Sequence, residues 1–227
     1  MNSIPVRTLK PAKSLFPDLV WDLPSKEKVI YLTFDDGPTP IITDWTLDVL
    51  KQYNAKATFF CIGKNVEAHP DIFNKIIADG HSIGNHTYNH IKGWTTTTEN
   101  YVSNIEKAQE IINNQIPNSK FQDLKIKNRK SKIVNLFRPP YGQIKPKQAK
   151  TLILLGYKII MWMVVAIDWD ASVSKEKCLD NVVNNTFSGD IVVFHDSIKA
   201  ANNMQYALPK VLEYFSEKGF KFKYIPE

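Results

Sequence analysis

The chain has 227 residues, 43% of them hydrophobic and 23% charged. These are the proportions of an ordinary soluble protein, and the length suits one globular domain or a single α/β barrel of modest size. The net charge of +6 sits almost wholly in residues 118–133, where Lys120, Lys125, Lys127, Arg129, Lys130 and Lys132 face Asp123 alone; no aromatic-rich motif accompanies them, which speaks against a nucleic-acid partner.

In chain order, "VIYLTFDD" (29–36) reads as a strand and "ITDWTLDVLKQYN" (42–54) as a helix with Trp45, Leu47, Val49 and Leu50 near one face. "ATFFCIG" is a second strand. "PDIFNKIIADG" is a helix opened by Pro70 and closed by Gly80. "HSIGNH" is a short third strand, and "TENYVSNIEKAQEIINNQ" a helix for which Thr98 is the expected cap. Past the basic segment, "VNLFRPPYG" is strand four, "KPKQAKTLILLGY" a helix ending at Gly156, and "KIIMWMVVAIDW" strand five. The most apolar run, "LILLGYKIIMWMVVAI", is broken by Gly156 and Lys158 and is too short to cross a bilayer. "SKEKCLDNVVNNT" is a helix, "DIVVFHDS" strand six, "QYALPKVLEYFSEKG" the last helix and "FKFKYI" a seventh strand. Strands alternating with helices at this spacing predict parallel strands joined by crossover helices, and seven strands point to an incomplete barrel.

Cys61 ends an apolar run and reads as a small buried hydrophobe, and Cys178 falls in a helical pattern; two cysteines make no disulfide framework. The N-terminus "MNSIPVRTLKPAKSLFP" has no apolar core of the signal-peptide kind, so a cytoplasmic location is the expectation, with association with the cell envelope as the alternative.

The ionisable residues gather at strand ends. Asp35 and Asp36, His86 and His90, Arg138, Asp168 and His195 all stand at or just past the C-terminal end of an expected strand, and in a parallel barrel those ends share one rim. "HTYNH" is His-x3-His; on a helical turn such residues lie on one face, about 5–6 Å apart at Cβ, where both imidazoles reach one metal. One of Asp35 and Asp36 would supply a third ligand, leaving an open position as in catalytic zinc sites. Adjacent like charges are then tolerable, because the cation neutralises the pair. The alternative is an Asp-Asp-Gly-Pro turn with both acids in solvent.

"TFDDGP", "HTYNH", "RPPYG", "DW" and "VFH", in that order, resemble the five motifs of the polysaccharide deacetylase family, the NodB-homology domain or carbohydrate esterase family 4. The resemblance spans about residues 29–225 and implies a distorted (β/α)7 barrel with a parallel strand core, residues 1–28 being an N-terminal extension and 29–227 the catalytic domain. Carried over by position, it implies Asp35 as base and Asp36, His86 and His90 as ligands of one divalent ion, zinc first with cobalt and nickel as alternatives. Arg138 would orient Asp35, and the Tyr141 N–H would donate to an oxyanion. His195 would be the general acid, tethered by Asp168, with Trp169, Tyr141 and Val193 walling an acetyl pocket. The family's usual Asp before the fourth motif is replaced by Val165, and the usual Leu of the fifth by Val193. Trp94 is a candidate sugar-stacking platform, while His81 and His69 read as structural and loop residues.

The expected activity is therefore metal-dependent deacetylation of an acetylated carbohydrate, an N-acetylated amino sugar first. Cleavage of another acyl or cyclic amide bond, or a catalytically silent glycan-binding domain, stand as alternatives, the second opposed by the intact Asp35 and His195. A monomer is expected. The basic segment 118–133 reads as a solvated insertion, with an anionic glycan or membrane surface as its sharper alternative.

Overall fold

Every residue of β1 (Val29–Asp35) except Tyr31 is buried, the mark of a strand covered on both faces: Ile30, Leu32 and Phe34 pack against helices, while Tyr31 packs on an inner cluster with Phe60, Ile160 and Ile191. β1 is an interior strand of a parallel sheet in the computed structural model, which describes residues 5–116 and 135–226. The basic segment 118–133 lies outside the described residues. The other strands are β2 (Ala57–Cys61), β3 (Ser82–Asn85), β4 (Leu136–Phe137), β5 (Lys158–Ile159), β6 (Val164–Val165), β7 (Ile191–His195) and β8 (Lys221–Phe222). They run β5-β4-β3-β2-β1-β7-β6, with β8 added to the start of β1, and all these pairings are parallel. The architecture is the expected distorted α/β barrel.

One strand expectation is corrected. Residues 158–169 do not form a single fifth strand: their start pairs with β4 as β5, and Val164–Val165 pairs with β7 as β6, so one stretch of chain supplies both ends of the sheet. The residues ahead of β1 fill the gap. Val20 N–H donates to the Ile159 carbonyl (2.9 Å) and the Val20 carbonyl accepts from Met161 N–H (2.7 Å). Thr8 N–H donates to Met163 (2.8 Å), and Val165 N–H to Val6 (2.9 Å). Arg7 then anchors to Asp190 through Nη1 at 2.5 Å.

The helices are α1 (Lys10–Leu15), α2 (Ile42–Gln52), α3 (Gly63–Ala68), α4 (Pro70–Ala78), α5 (Thr98–Gln115), α6 (Pro146–Leu154), α7 (Lys175–Val183) and α8 (Ala201–Glu217). Proline opens α4 and α6, where its missing N–H costs nothing. α5 is capped by Thr97, whose hydroxyl accepts from Asn100 N–H, and not by Thr98; four consecutive threonines gave no sequence signal to choose between them. Beneath the site the core is aromatic: Phe34 stacks on Phe59 (centroids 5.0 Å) and on Phe194 (6.2 Å). Cys61 and Cys178 are both free and buried, and among the described residues no helix is long and apolar enough to cross a membrane.

Candidate metal centre and active site

Parallel register brings the strand ends level. Asp35 is the partner of Phe60 on one side and of His195 on the other, and Asn85, the residue before His86, is level with Phe137, the residue before Arg138. The rim so formed opens into a pocket of about 330 Å³ lined by Asp35, Asp36, His86, His90, Tyr141, Val165, Trp169, Val193 and His195, among others.

Asp36 Oδ1 stands 3.3 Å from His90 Nε2 and 3.7 Å from His86 Nε2. Ligands of a tetrahedral ion with bonds of about 2.0–2.2 Å are spaced roughly 3.3–3.6 Å apart, so Asp36 Oδ1 is already near that separation from each imidazole, and the three ligand atoms all lie within 4.8 Å of one another. Two further observations fit a cation. Asp36 Oδ1 is buried and accepts no hydrogen bond, an arrangement costly without a partner. His86 Nδ1 donates to the Arg138 carbonyl at 2.8 Å, which fixes the tautomer that leaves Nε2 a lone pair facing Asp36. Burial drives the His86 pKa down to about 4 against the pull of Asp35, and lowers His90 as well, so both imidazoles are neutral near pH 7, as metal ligands must be. The site can hold one metal ion.

The histidines do not converge by way of a helical turn. Residues 86–90 form a loop with Thr87 and His90 in the left-handed region (φ 65° and 60°). Side chains hold it there: Asn85 Oδ1 accepts from Thr87 N–H (2.9 Å) and Asn104 Oδ1 from Tyr88 N–H (2.9 Å). The two rings end 5.1 Å apart.

Asp35, only 4% exposed, is not a ligand-set member but an ion-pair partner. Arg138 Nη1 donates to its Oδ1 at 2.7 Å and to Thr33 Oγ1 at 2.7 Å, while Nε and Nη2 donate to the carbonyls of Ile160 and Met161. The guanidinium, wholly buried, lies 4.1 Å above the Phe60 ring. Burial alone would raise the Asp35 pKa; Arg138, with His86 and His195, outweighs it and holds the group below the ordinary carboxylate value. On the far side His195 Nδ1 meets Asp168 Oδ1 at 2.8 Å, and the His195 N–H donates to Asp168 Oδ2 at 2.7 Å. Burial disfavours the His195 proton, but Asp168, by charge and hydrogen bond, together with Asp36 and Asp35, raises it to about 9. The Trp169 ring stands edge-on to His195 (4.6 Å), and Tyr141, 55% exposed, tilts over His90 (4.6 Å). A depressed acid and a raised base therefore face one pocket, an arrangement suited to proton transfer in both directions.

Trp94, 61% exposed, lines a neighbouring groove of about 720 Å³ with Phe16, Trp21, Gly142 and Leu154, rather than the pocket itself. Val165 also lines the pocket, as an apolar wall where an acid was expected by resemblance. His81 Nδ1 accepts from Ala57 N–H (3.1 Å), a structural role. Sequence reasoning missed two residues that hold the Asp36–Gly37 turn. Asn65 Nδ2 donates to the Asp36 carbonyl (2.7 Å), and Asp196 Oδ1 accepts from Gly37 N–H (3.0 Å). The only signal was an acid directly after His195 in "VFHDS".

The sequence model described as Polysaccharide deacetylase matches residues 22–160. A peptidoglycan-N-acetylglucosamine deacetylase of Bacillus cereus is 36% identical over 92% of this chain and 92% of its own. A chitooligosaccharide deacetylase of Azorhizobium caulinodans is 30% identical over 74% of this chain and 73% of its own. Among solved structures, a peptidoglycan N-acetylglucosamine deacetylase bound to an N-hydroxybenzamide superimposes with a TM-score of 0.82 at 31% identity, covering 96% of both chains.

Proposed function

Since the chain belongs to the polysaccharide deacetylase family, we propose that it is a metal-dependent hydrolase removing acetyl groups from an N-acetylated amino-sugar polymer or oligosaccharide. The observation that carries this reading is the meeting, in one pocket, of the Asp36–His86–His90 set with Asp35, paired to Arg138, and His195, paired to Asp168. The substrate class is supported by the relatives, which are named for peptidoglycan N-acetylglucosamine and chitooligosaccharide deacetylation.

Asp36, His86 and His90 would hold one divalent ion, zinc by the chemistry of two imidazoles and a carboxylate. Bound there, it supplies a Lewis acid for the acetyl carbonyl and brings the pKa of water toward about 7. Asp35, kept ionised and oriented by Arg138, takes a proton from the attacking water. The Tyr141 N–H donates to the oxyanion that develops on the carbonyl oxygen. His195, carrying its proton at neutral pH, delivers it to the leaving nitrogen, and Asp168 stabilises the imidazolium until it does so. Trp169, Tyr141 and Val193 enclose the acetyl group and keep bulk water from it.

Acetate release by the purified protein from chitooligosaccharides, peptidoglycan fragments and acetylated xylan tests the reading. Release from the first two and little from the O-acetylated xylan is expected. Release from xylan alone would move the activity from amide to ester.

A further inference from the structure

We propose that Asn65 and Asp196 form a clamp on the Asp36–Gly37 peptide group, and that this clamp, rather than any contact to the carboxylate, aims Asp36 at the metal. The inference rests on the metal-site reading above.

Asp36 has φ 84°, a left-handed conformation that a residue other than glycine adopts under strain, and only where its surroundings enforce it. Its side chain offers no handle for doing so, because Oδ1 accepts no hydrogen bond and has the two imidazole Nε2 atoms beside it. Where the carboxylate points is then set by the backbone. The peptide plane after Asp36 is held at both of its polar atoms by side chains remote in sequence. Its carbonyl accepts from Asn65 Nδ2 at 2.7 Å, and its N–H donates to Asp196 Oδ1 at 3.0 Å. A plane anchored at one atom can swing about that bond; anchored at both, it cannot turn over without breaking one of them.

The two jaws are themselves fixed. Asp196 is fully buried, its Oδ2 accepts from Thr43 Oγ1 on α2 at 2.5 Å, and its own N–H donates to the Asp35 carbonyl at 3.1 Å. Asn65 sits in α3 directly after the end of β2, and Ile62 N–H at that junction donates to the Gly37 carbonyl at 3.0 Å. Gly37 is the complement to this arrangement, since a Cβ built there would stand 2.0 Å from Asp196 Oδ2. The acid therefore reaches the N–H only because no side chain is in the way. The clamp ties the metal ligand to β1, α2, α3 and the segment after β7 at once, which makes Asn65 and Asp196 positioning residues and not ligands.

The test is the zinc affinity of the whole protein, by competition with a chromophoric chelator, for wild type, N65A, D196A, the double variant and D196N, with thermal unfolding of each metal-free protein alongside. Each alanine variant should bind zinc about 10–100-fold more weakly, the loss usual for residues that orient a ligand from behind. The double variant should lose little more than the worse single one, because either loss frees the same peptide plane. D196N keeps an oxygen facing Gly37 N–H and should stay close to wild type. Unchanged affinity in folded N65A and D196A, or losses that simply multiply, would overturn the clamp. Should D196A not fold, N65A and D196N decide it, and unchanged affinity in N65A again overturns it. Wild type binding one zinc that D36A loses establishes the metal site separately, so failure of the clamp is told apart from failure of that reading.

Discussion

Asp35 and His195 are register partners at the C-terminal ends of the neighbouring parallel strands β1 and β7. Each turns outward to a different buried counter-charge, Arg138 at 2.7 Å from the first and Asp168 at 2.8 Å from the second. The sheet thus sets a proton acceptor and a proton donor side by side, and the counter-charges keep them in opposite protonation states at the same pH.

Asp35 and Asp36 are adjacent in sequence but face different partners, so their substitutions should separate. D35N should retain one equivalent of metal and lose turnover, whereas D36A should lose the metal as well. Metal content by elemental analysis, read beside acetate release, checks this, and equal metal loss in both variants would contradict the assignment.

The acid–base pair fixes the pH profile of kcat/KM. Asp35 must be ionised, and its depressed pKa keeps it so until the pH falls below the ordinary carboxylate range. His195 must be protonated, and activity is lost as the pH rises through its raised pKa of about 9, or somewhat lower once a cation shares the pocket and repels the imidazolium. H195A should cost roughly 10²–10⁴ in rate and remove the alkaline limb. D168N should instead shift that limb to lower pH, and an unmoved limb would mean that the proton comes from another group.

Arg138 is wholly buried, and its Nη1 is shared between Asp35 and Thr33. R138M leaves the Asp35 carboxylate buried without its counter-charge, a change worth about 3–5 kcal/mol of stability when one member of a buried pair is removed. Urea unfolding of the metal-free variant measures that loss. The raised Asp35 pKa that follows should also move the acid limb of activity upward, which a loss of packing alone would not do.

Trp94 lines the neighbouring groove together with Gly142, whose chain neighbour Tyr141 lines the active-site pocket. As a sugar platform it would act on distant parts of a glycan. W94A should then raise KM for long oligosaccharides about 3–10-fold, the worth of one aromatic contact of ~0.5–1.5 kcal/mol, and leave a disaccharide unaffected. An equal effect on both lengths would make Trp94 a packing residue.

How much could be read from the sequence follows from how locally each feature is encoded. β1, β2 and β7 are almost wholly buried, by helices on one face and by the barrel interior on the other, and the polar ends of β1 and β7 at Asp35 and His195 stood out against that background. The split of 158–165 into two pairings was hidden, since an unbroken apolar run carries no mark of which neighbour each half will meet. α3 buries only Gly63 and Val66, too little to make a periodic pattern, so Asn65 had no helix to belong to. Asp196 acts on a glycine 159 positions away, a pairing that exists only once β1 and β7 are side by side. The His-x3-His spacing was informative about chemistry although the geometry first attached to it, a helical turn, is replaced by a loop held open by Asn85 and Asn104.

The central claim is that one metal ion at Asp36, His86 and His90 enables this chain to release acetate from an N-acetylated amino sugar. It is tested most directly by stripping the protein with a chelator and titrating zinc back while following acetate released from a chitooligosaccharide. Activity should be absent in the stripped protein, rise linearly and break at one equivalent of metal, with D36A inactive throughout. Acetate release that persists in the stripped protein, or that fails to respond to any divalent ion in a folded wild type, would contradict the account.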